Sequence, residues 1–205
     1  MSVQARIKAR REARRVQAIH DVYSHLYEVY VGAGYQRTKG GEGTVSGQGL
    51  QKINEFSWDV GVTRYFNQKL GVTLDGRGNY GSVYIGPNSV TNSALTKPAI
   101  SQYSGMIGPT YRFILEPRYS VSGRVLAGAS YGNFSGDIGS FTPAELGLYP
   151  DGAGLALSAS VPFEYNVSPG VGVRLAPEYY LTNFGSKLQN GVGFTGAIVV
   201  RWGKQ

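Results

Sequence analysis

Glu55-Phe-Ser-Trp58-Asp-Val-Gly-Val-Thr-Arg64-Tyr-Phe66-Asn-Gln-Lys69-Leu70-Gly-Val-Thr-Leu-Asp75-Gly-Arg77 is the stretch from which the fold is read. Polarity alternates along it with a period of two, interrupted only at Asn67-Gln-Lys69. That period belongs to strands, whose side chains point by turns to opposite faces. Phe56, Trp58, Val60, Val62 and Phe66 share one face, while Glu55, Ser57, Asp59, Thr63 and Tyr65 share the other. After the short link, Leu70, Val72 and Leu74 oppose Thr73, Asp75 and Arg77. Two alternating runs joined by three turn-forming residues predict an antiparallel hairpin.

The same pattern recurs on both sides, giving eight predicted strands: Leu26 to Arg37, Ile53 to Phe66, Leu70 to Tyr84, Ala99 to Ile114, Tyr119 to Asn133, Leu155 to Tyr165, Val171 to Thr182 and Val192 to Trp202. The links after the second, fourth and sixth are short: Asn67 to Lys69, Leu115 to Arg118 and Asn166 to Gly170. The others, roughly Thr38 to Lys52, Ile85 to Pro98, Phe134 to Gly154 and Asn183 to Gly191, are long and rich in Gly, Ser, Thr, Asn and Pro. Strict alternation of tight turns and long loops predicts an all-β, up-and-down antiparallel barrel of eight strands crossing a membrane, with four long loops on the rim opposite the hairpins. An even strand number brings both chain ends to the hairpin rim.

The distribution of charge decides which face is inside. A soluble barrel of lipocalin type is apolar within and polar without, and a membrane barrel reverses the two. The polar face carries Glu28, Glu55, Asp59, Asp75, Glu164 and Glu178 against Arg77, Arg112, Arg124, Arg174 and Arg201. Its cations are all arginine, the residue suited to bidentate pairing in confined sites. The expectation is therefore an internal charge network of Glu28, Asp59, Asp75, Arg77, Arg112, Arg124, Glu164, Arg174, Glu178 and Arg201. The apolar face carries Phe56, Trp58, Phe66, Tyr111, Phe113, Tyr119, Phe163, Tyr179 and Trp202, expected to face lipid and to form girdles near the strand ends. Arg64 falls on this face, two residues from a turn, within reach of headgroups. Polar-face glycines such as Gly61, Gly108 and Gly172 are expected to make room for the arginines, and Pro109, Pro162 and Pro177 to mark bulges.

With 205 residues, 30 glycines, 15 tyrosines and no cysteine, the chain suits one domain, a barrel over residues 23–205 preceded by a basic, helical or solvated extension over 1–22. The net charge of +7 is concentrated in that extension, where Arg6, Lys8, Arg10, Arg11, Arg14 and Arg15 face Glu12 and Asp21. A solvated tail is preferred to a nucleic-acid arm, and contact with anionic lipid or polysaccharide is a further reading. No apolar run approaches the ~20 residues of a membrane helix. No apolar core follows the first charges, so the signal peptide of an exported precursor is expected to lie outside this sequence.

These features resemble the small outer-membrane barrels of the OmpA and OmpX type. The resemblance rests on Trp58-Asp-Val-Gly-Val-Thr-Arg-Tyr-Phe66, Leu70-Gly-Val-Thr-Leu-Asp-Gly-Arg-Gly78, Gly108-Pro-Thr-Tyr-Arg-Phe113 and Leu175-Ala-Pro-Glu-Tyr-Tyr180, and spans roughly residues 23–203. It implies residence in the outer membrane, contact with its lipid and lipopolysaccharide, and folding by the barrel assembly machinery. It also implies a terminal aromatic in the last strand; here Trp202 is followed by Gly203-Lys-Gln205.

The function expected is non-enzymatic: a structural or surface-interaction role through the loops, with an extracellular ligand, no nucleic acid and a monomeric chain. The third loop, with Phe134, Ile138, Phe141, Leu146, Leu148 and Tyr149, is the most apolar, and either packs on the rim or binds a partner. Two other readings stand beside this one. A lipid-modifying barrel would need a nucleophile and a base, and the only histidines, His20 and His25, lie at or before the first strand. A soluble barrel holding an apolar ligand would have to turn its arginine-rich face outward. No catalytic, cofactor or metal site is expected: cysteine is absent, and Gly32-Ala-Gly34 and Gly76-Arg-Gly78 lie within strands, not at a strand-to-helix turn.

Overall fold

The computed structural model describes residues 3–41, 43–45, 48–50, 52–85 and 97–204. A helix, α1 (Val3–Tyr23), precedes eleven strand segments: β1 (Tyr27–Lys39), β2 (Thr44–Val45), β3 (Gln48–Gly49), β4 (Lys52–Tyr65), β5 (Leu70–Ser82), β6 (Ala99–Leu115), β7 (Tyr119–Gly136), β8 (Gly152–Ser160), β9 (Phe163–Ser168), β10 (Val171–Phe184) and β11 (Lys187–Trp202). Strands β2 and β3 form a small ribbon in the first long loop. The rest make one antiparallel sheet in which each strand pairs with the next, β8 and β9 together fill one place in the ring, and β11 returns to pair with β1 from Tyr27↔Trp202 to Arg37↔Val192. The sheet closes into the eight-stranded barrel that the alternating links predict.

Three expectations about the strands are corrected. The fourth link is not a long loop over Asn183 to Gly191. Strands β10 and β11 stay paired up to Phe184↔Lys187 and turn through Gly185 and Ser186, both at positive φ (57° and 64°). Two successive residues in the left-handed region match the twist of a two-residue hairpin. The loop rim therefore carries three long links and one tight turn. The second link, predicted over Ile85 to Pro98, lies largely outside the described residues.

The prolines do not mark bulges. Register runs on through Pro162: Ser160 pairs with Glu178 and Phe163 with Leu175, three residues apart on both strands. Pro162 and Pro177 lie almost opposite one another, so each lost donor falls where its neighbour still accepts. Ser122 N–H donates to the Pro162 carbonyl (2.9 Å) and Val161 N–H to that of Pro177 (3.1 Å). The register shifts lie elsewhere, between Ala99 and Ser101, Arg112 and Ile114, and Val171 and Gly172.

Inner-face glycines serve close approach more than they serve arginine. A Cβ on Gly61 would stand 2.3 Å from the Tyr30 ring, and one on Gly108 2.1 Å from the Val125 carbonyl oxygen. Gly172 alone of the three named above has an arginine, Arg201, beside it (3.4 Å). In a bore just wide enough for side chains, Gly61 supplies the space across which Tyr30 lies. Gly61→Ala is expected to displace that ring and cost about 1–3 kcal/mol, read as a lower urea midpoint in detergent micelles; an unchanged midpoint would show that the ring yields freely.

Candidate functional site

The bore of the barrel is divided into layers along its axis. Nearest the hairpin rim, the carboxylate of Glu28 on β1 is shared by three arginines: Arg112 Nη2 donates to Oε2 (2.6 Å), Arg201 Nε to Oε2 (2.9 Å), and Arg174 Nη2 to Oε1. Glu164 on β9 completes the cluster, accepting from Arg174 Nη2 (2.6 Å) and Arg201 Nη2 (2.5 Å). All five side chains are at most 4% exposed.

The middle layer holds Asp75, Arg77, Arg124 and Glu178. Arg77 bridges Asp75 (Nε to Oδ1, 2.9 Å) and Glu178 (Nη1 to Oε1, 2.6 Å), and Arg124 lies 3.9 Å from Asp75. Tyr30 ties the layer across the bore: its hydroxyl donates to Asp75 Oδ2 and accepts from Arg124 Nη1 (2.7 Å). Ser158 adds a donor to Glu178. Burying unpaired charge would be prohibitive, and charge-assisted hydrogen bonds of this kind are what offset the loss of water. Asp59, placed in the network from sequence, is buried and stands opposite Arg77 in the β4–β5 register, but forms no ion pair among the described residues. Glu55 accepts instead from Gln102 Nε2 (2.9 Å).

What sequence reading missed is the tyrosines. The guanidinium of Arg112 lies 3.6 Å from the Tyr65 ring centroid and 5.0 Å from that of Tyr23; Arg174 and Arg124 flank Tyr30 at 4.5 and 5.1 Å; Arg77 stands 5.4 Å from Tyr180. Stacking on a ring face lets a guanidinium shed water on its flat sides while its edges bond carboxylates. The signal was available in the parity of Tyr30, Tyr65 and Tyr180, which share their faces with the charges.

Both ends of the bore are stoppered. Tyr23, the last residue of α1, is fully buried at the hairpin rim; its hydroxyl donates to the Glu116 carbonyl (2.9 Å) and accepts from Asn166 Nδ2 (2.8 Å). At the loop rim an apolar cap combines Phe134, Ile138, Leu146, Leu148 and Tyr149 of the third loop and its flanking strand with Ile53, Val83, Ile85, Ile100 and Phe184, and Phe141 packs against it. The apolar third loop is thus a lid on the rim and not an open binding face. Its backbone is stitched to the first loop by Tyr149 N–H to the Gly40 carbonyl and Gly43 N–H to the Gly147 carbonyl (both 3.1 Å). In the same loop, backbone and side-chain hydrogen bonds from Thr142 hold the exposed Glu145 carboxyl below its ordinary pKa. Beside Arg77 and Glu178 the bore retains a void of about 10 Å³, room for at most one water.

The outer face is apolar. Phe56, Trp58, Phe66, Tyr111, Phe113, Tyr119, Phe163, Tyr179 and Trp202 all point outward, each between 41% and 73% exposed. Tyr27 stacks on Trp202 and Tyr119 on Phe163 toward the hairpin rim, while Tyr35 meets Phe56 and Phe194, and Tyr80 meets Tyr103, toward the loops. Arg64 leans over Phe66 (6.0 Å). His25 Nδ1 donates to the Val22 carbonyl (3.0 Å), at the hairpin rim and outside the bore. No group of three or more metal-ligating side chains occurs among the described residues.

Glu28→Gln leaves three buried arginines with one full carboxylate and is expected to cost about 3–5 kcal/mol, measured as the loss in urea-unfolding free energy in micelles; a loss below about 0.5 kcal/mol would mean the cluster is hydrated. Leu146→Ala is expected to loosen the lid by about 2–5 kcal/mol, read as faster protease cleavage within residues 137–151 with the barrel intact.

No family model and no curated sequence matches this chain. Solved structures do. Ail, the attachment invasion locus protein of Yersinia pestis, in complex with the heparin analogue sucrose octasulfate, matches with a TM-score of 0.52 at 16% identity, over 86% of this chain and 97% of Ail. Neisserial surface protein A matches with a TM-score of 0.58 at 13% identity, over 86% of this chain and 97% of its own. The chain therefore has the fold of the small eight-stranded barrels of bacterial outer membranes.

Proposed function

We propose that this chain is a non-enzymatic integral protein of the outer membrane that acts structurally and through the surface of its loop rim. The observation that carries the reading is the inversion of polarity: five arginines and their carboxylates inside, and an aromatic-banded apolar wall outside. Such a wall is stable only against lipid, because an exposed apolar area of this extent on a water-soluble monomer would drive association. Phe56, Trp58, Phe66, Tyr111, Phe113, Tyr119, Phe163, Tyr179 and Trp202 then contact acyl chains and headgroups, lipopolysaccharide covers the outer half of the wall, and the assembly machinery inserts it. Residues 23–205 form the membrane body and 1–22 its basic extension. Stoppers at both ends and a packed bore argue against a diffusion pore.

At the loop rim, a polyanionic saccharide is the ligand class that the charges favour. Lys39 and Lys52 face each other directly across β1 and β4, and Arg37 is exposed two residues before Lys39. Like charges in register cost stability, and a bound anion offsets that cost. Ail, bound to sucrose octasulfate, has a similar fold.

Refolded into micelles, the chain is expected to migrate faster unheated than boiled and to be insoluble in plain buffer; a soluble monomer with no shift would defeat the membrane reading. Lys39→Glu with Lys52→Glu is expected to weaken retention on immobilised heparin by about tenfold or more while preserving the shift, and unchanged retention would remove the saccharide reading alone.

A further inference from the structure

Helix α1 carries a strong charge of which the barrel uses only Arg15, through Glu116. Arg6, Arg10 and Arg14 recur every fourth residue and so form one ridge, and Lys8, Arg11 and Arg15, three and four residues apart, form a second on another face. Against these six cations the helix has only Glu12 and Asp21. Among the described residues Arg15 alone of the six is paired, to Glu12 (3.8 Å) and through Nε and Nη2 to both carboxylate oxygens of Glu116 (3.2 and 2.5 Å). Arg6, Lys8, Arg10, Arg11 and Arg14 are exposed and form no ion pair among the described residues.

The arrangement is unfavourable by itself. Like charges four residues apart repel, the first turn has no acid, and cations near a helix N-terminus oppose its dipole. A local conflict of this kind is relieved when an external anion lies along the ridge.

The attachment of the helix says which anion. Its end, Tyr23, is fixed inside the hairpin rim, whereas Ile19 lines a surface groove with Gln68, Phe113, Ile114 and Leu115. Phe113 and Ile114 belong to the outward apolar wall. The helix thus crosses the rim at the β6–β7 turn, and its exposed remainder begins where that wall ends, at the level of the rim aromatics. In a membrane barrel this is the headgroup layer.

We propose that α1 is a lipid-reading arm: its arginine ridge binds the anionic phospholipid headgroups that surround the hairpin rim. The inference rests on the membrane reading above, and it adds a second, chemically distinct lipid contact to the apolar wall. Multivalent pairing of Arg6, Arg10 and Arg14 with phosphates is worth roughly fivefold in local lipid occupancy per cation and weakens with salt.

The natural chain has no cysteine, so Ala9→Cys provides a single site for a fluorophore on the exposed part of the helix. The labelled full chain is reconstituted in phosphatidylcholine vesicles with and without about 30% phosphatidylglycerol, the phosphatidylglycerol carrying a headgroup quencher in one arm and an equal fraction of quencher-labelled phosphatidylcholine in the other. Selective quenching by phosphatidylglycerol, reduced about fivefold or more in Arg6→Gln/Arg10→Gln/Arg14→Gln and in about 0.5 M salt, supports the proposal. Equal quenching by the two lipids, or quenching that the triple variant leaves unchanged, overturns it. Retention on purified cell-wall polysaccharide without lipid-selective quenching overturns it also, assigning the ridge to a polymer. The heat-dependent gel shift, read on the same samples, separates the two failures: a missing shift in the unsubstituted chain defeats the barrel reading and this one with it, whereas a normal shift without selective quenching defeats only the lipid arm.

Discussion

Closure of β11 onto β1 is the constraint on which the rest depends. A sheet in hydrocarbon has no water to satisfy a free edge, so every strand must find two neighbours. The eleven paired positions from Tyr27↔Trp202 to Arg37↔Val192 supply the last of these. Once the ring is shut at eight strands, its diameter follows, and the bore is only as wide as the side chains that fill it. That width is why Glu28 on one wall meets Arg112, Arg174 and Arg201 from three others, and why a glycine at position 61 is needed for Tyr30 to lie across.

The interior is organised as two ionic layers. The layer at the hairpin rim has three arginines against Glu28 and Glu164, and the middle layer pairs Arg77 and Arg124 with Asp75 and Glu178. The shared Glu28 carboxylate draws three guanidinium groups together where screening is poor. Tyr30 has a guanidinium near its ring from each layer, Arg174 from the first and Arg124 from the second. This is a polar core that does the work an apolar core does in a soluble domain, with hydrogen bonds in place of dispersion.

Parity made most of this legible. Inside a bilayer the two faces of a strand meet opposite solvents, so the contrast along Glu55 to Arg77 is sharp and the inward set can be read residue by residue. Toward the loop rim the contrast fades, because outward Asn190 is as polar as inward Thr182 and Gln189. That is why Asn183 to Gly191, crowded with turn formers, reads as a loop although β10 and β11 continue through it to Gly185 and Ser186. The lid is half legible: its apolar residues stand out, and packing on the rim is one of two readings left open, but its partners are hidden. Leu146 and Tyr149 have no periodicity, and their partners Ile53, Ile100 and Phe184 are distant in sequence. Tyr23 falls just ahead of the first strand, where nothing local distinguishes a stopper from a linker. The proline reading failed at Pro162 and Pro177 because two prolines almost opposite each other share one defect where two were expected, and at Pro109 the register runs on against Val72.

The lid also has a meaning for the order of assembly. Its core draws on β4, the third loop, β6 and the β10–β11 turn, so its members are brought together only when nearly the whole chain has found its register. Until Phe184 arrives, Phe134 lacks the ring it meets edge-on at 5.1 Å, and the loop residues around it stay wet. Contacts of such long sequence separation form late, after the loop-closure entropy of every intervening strand has been spent. The lid is therefore a completion mark: a barrel missing or misregistering one late strand keeps an open, sticky mouth, and a finished one does not.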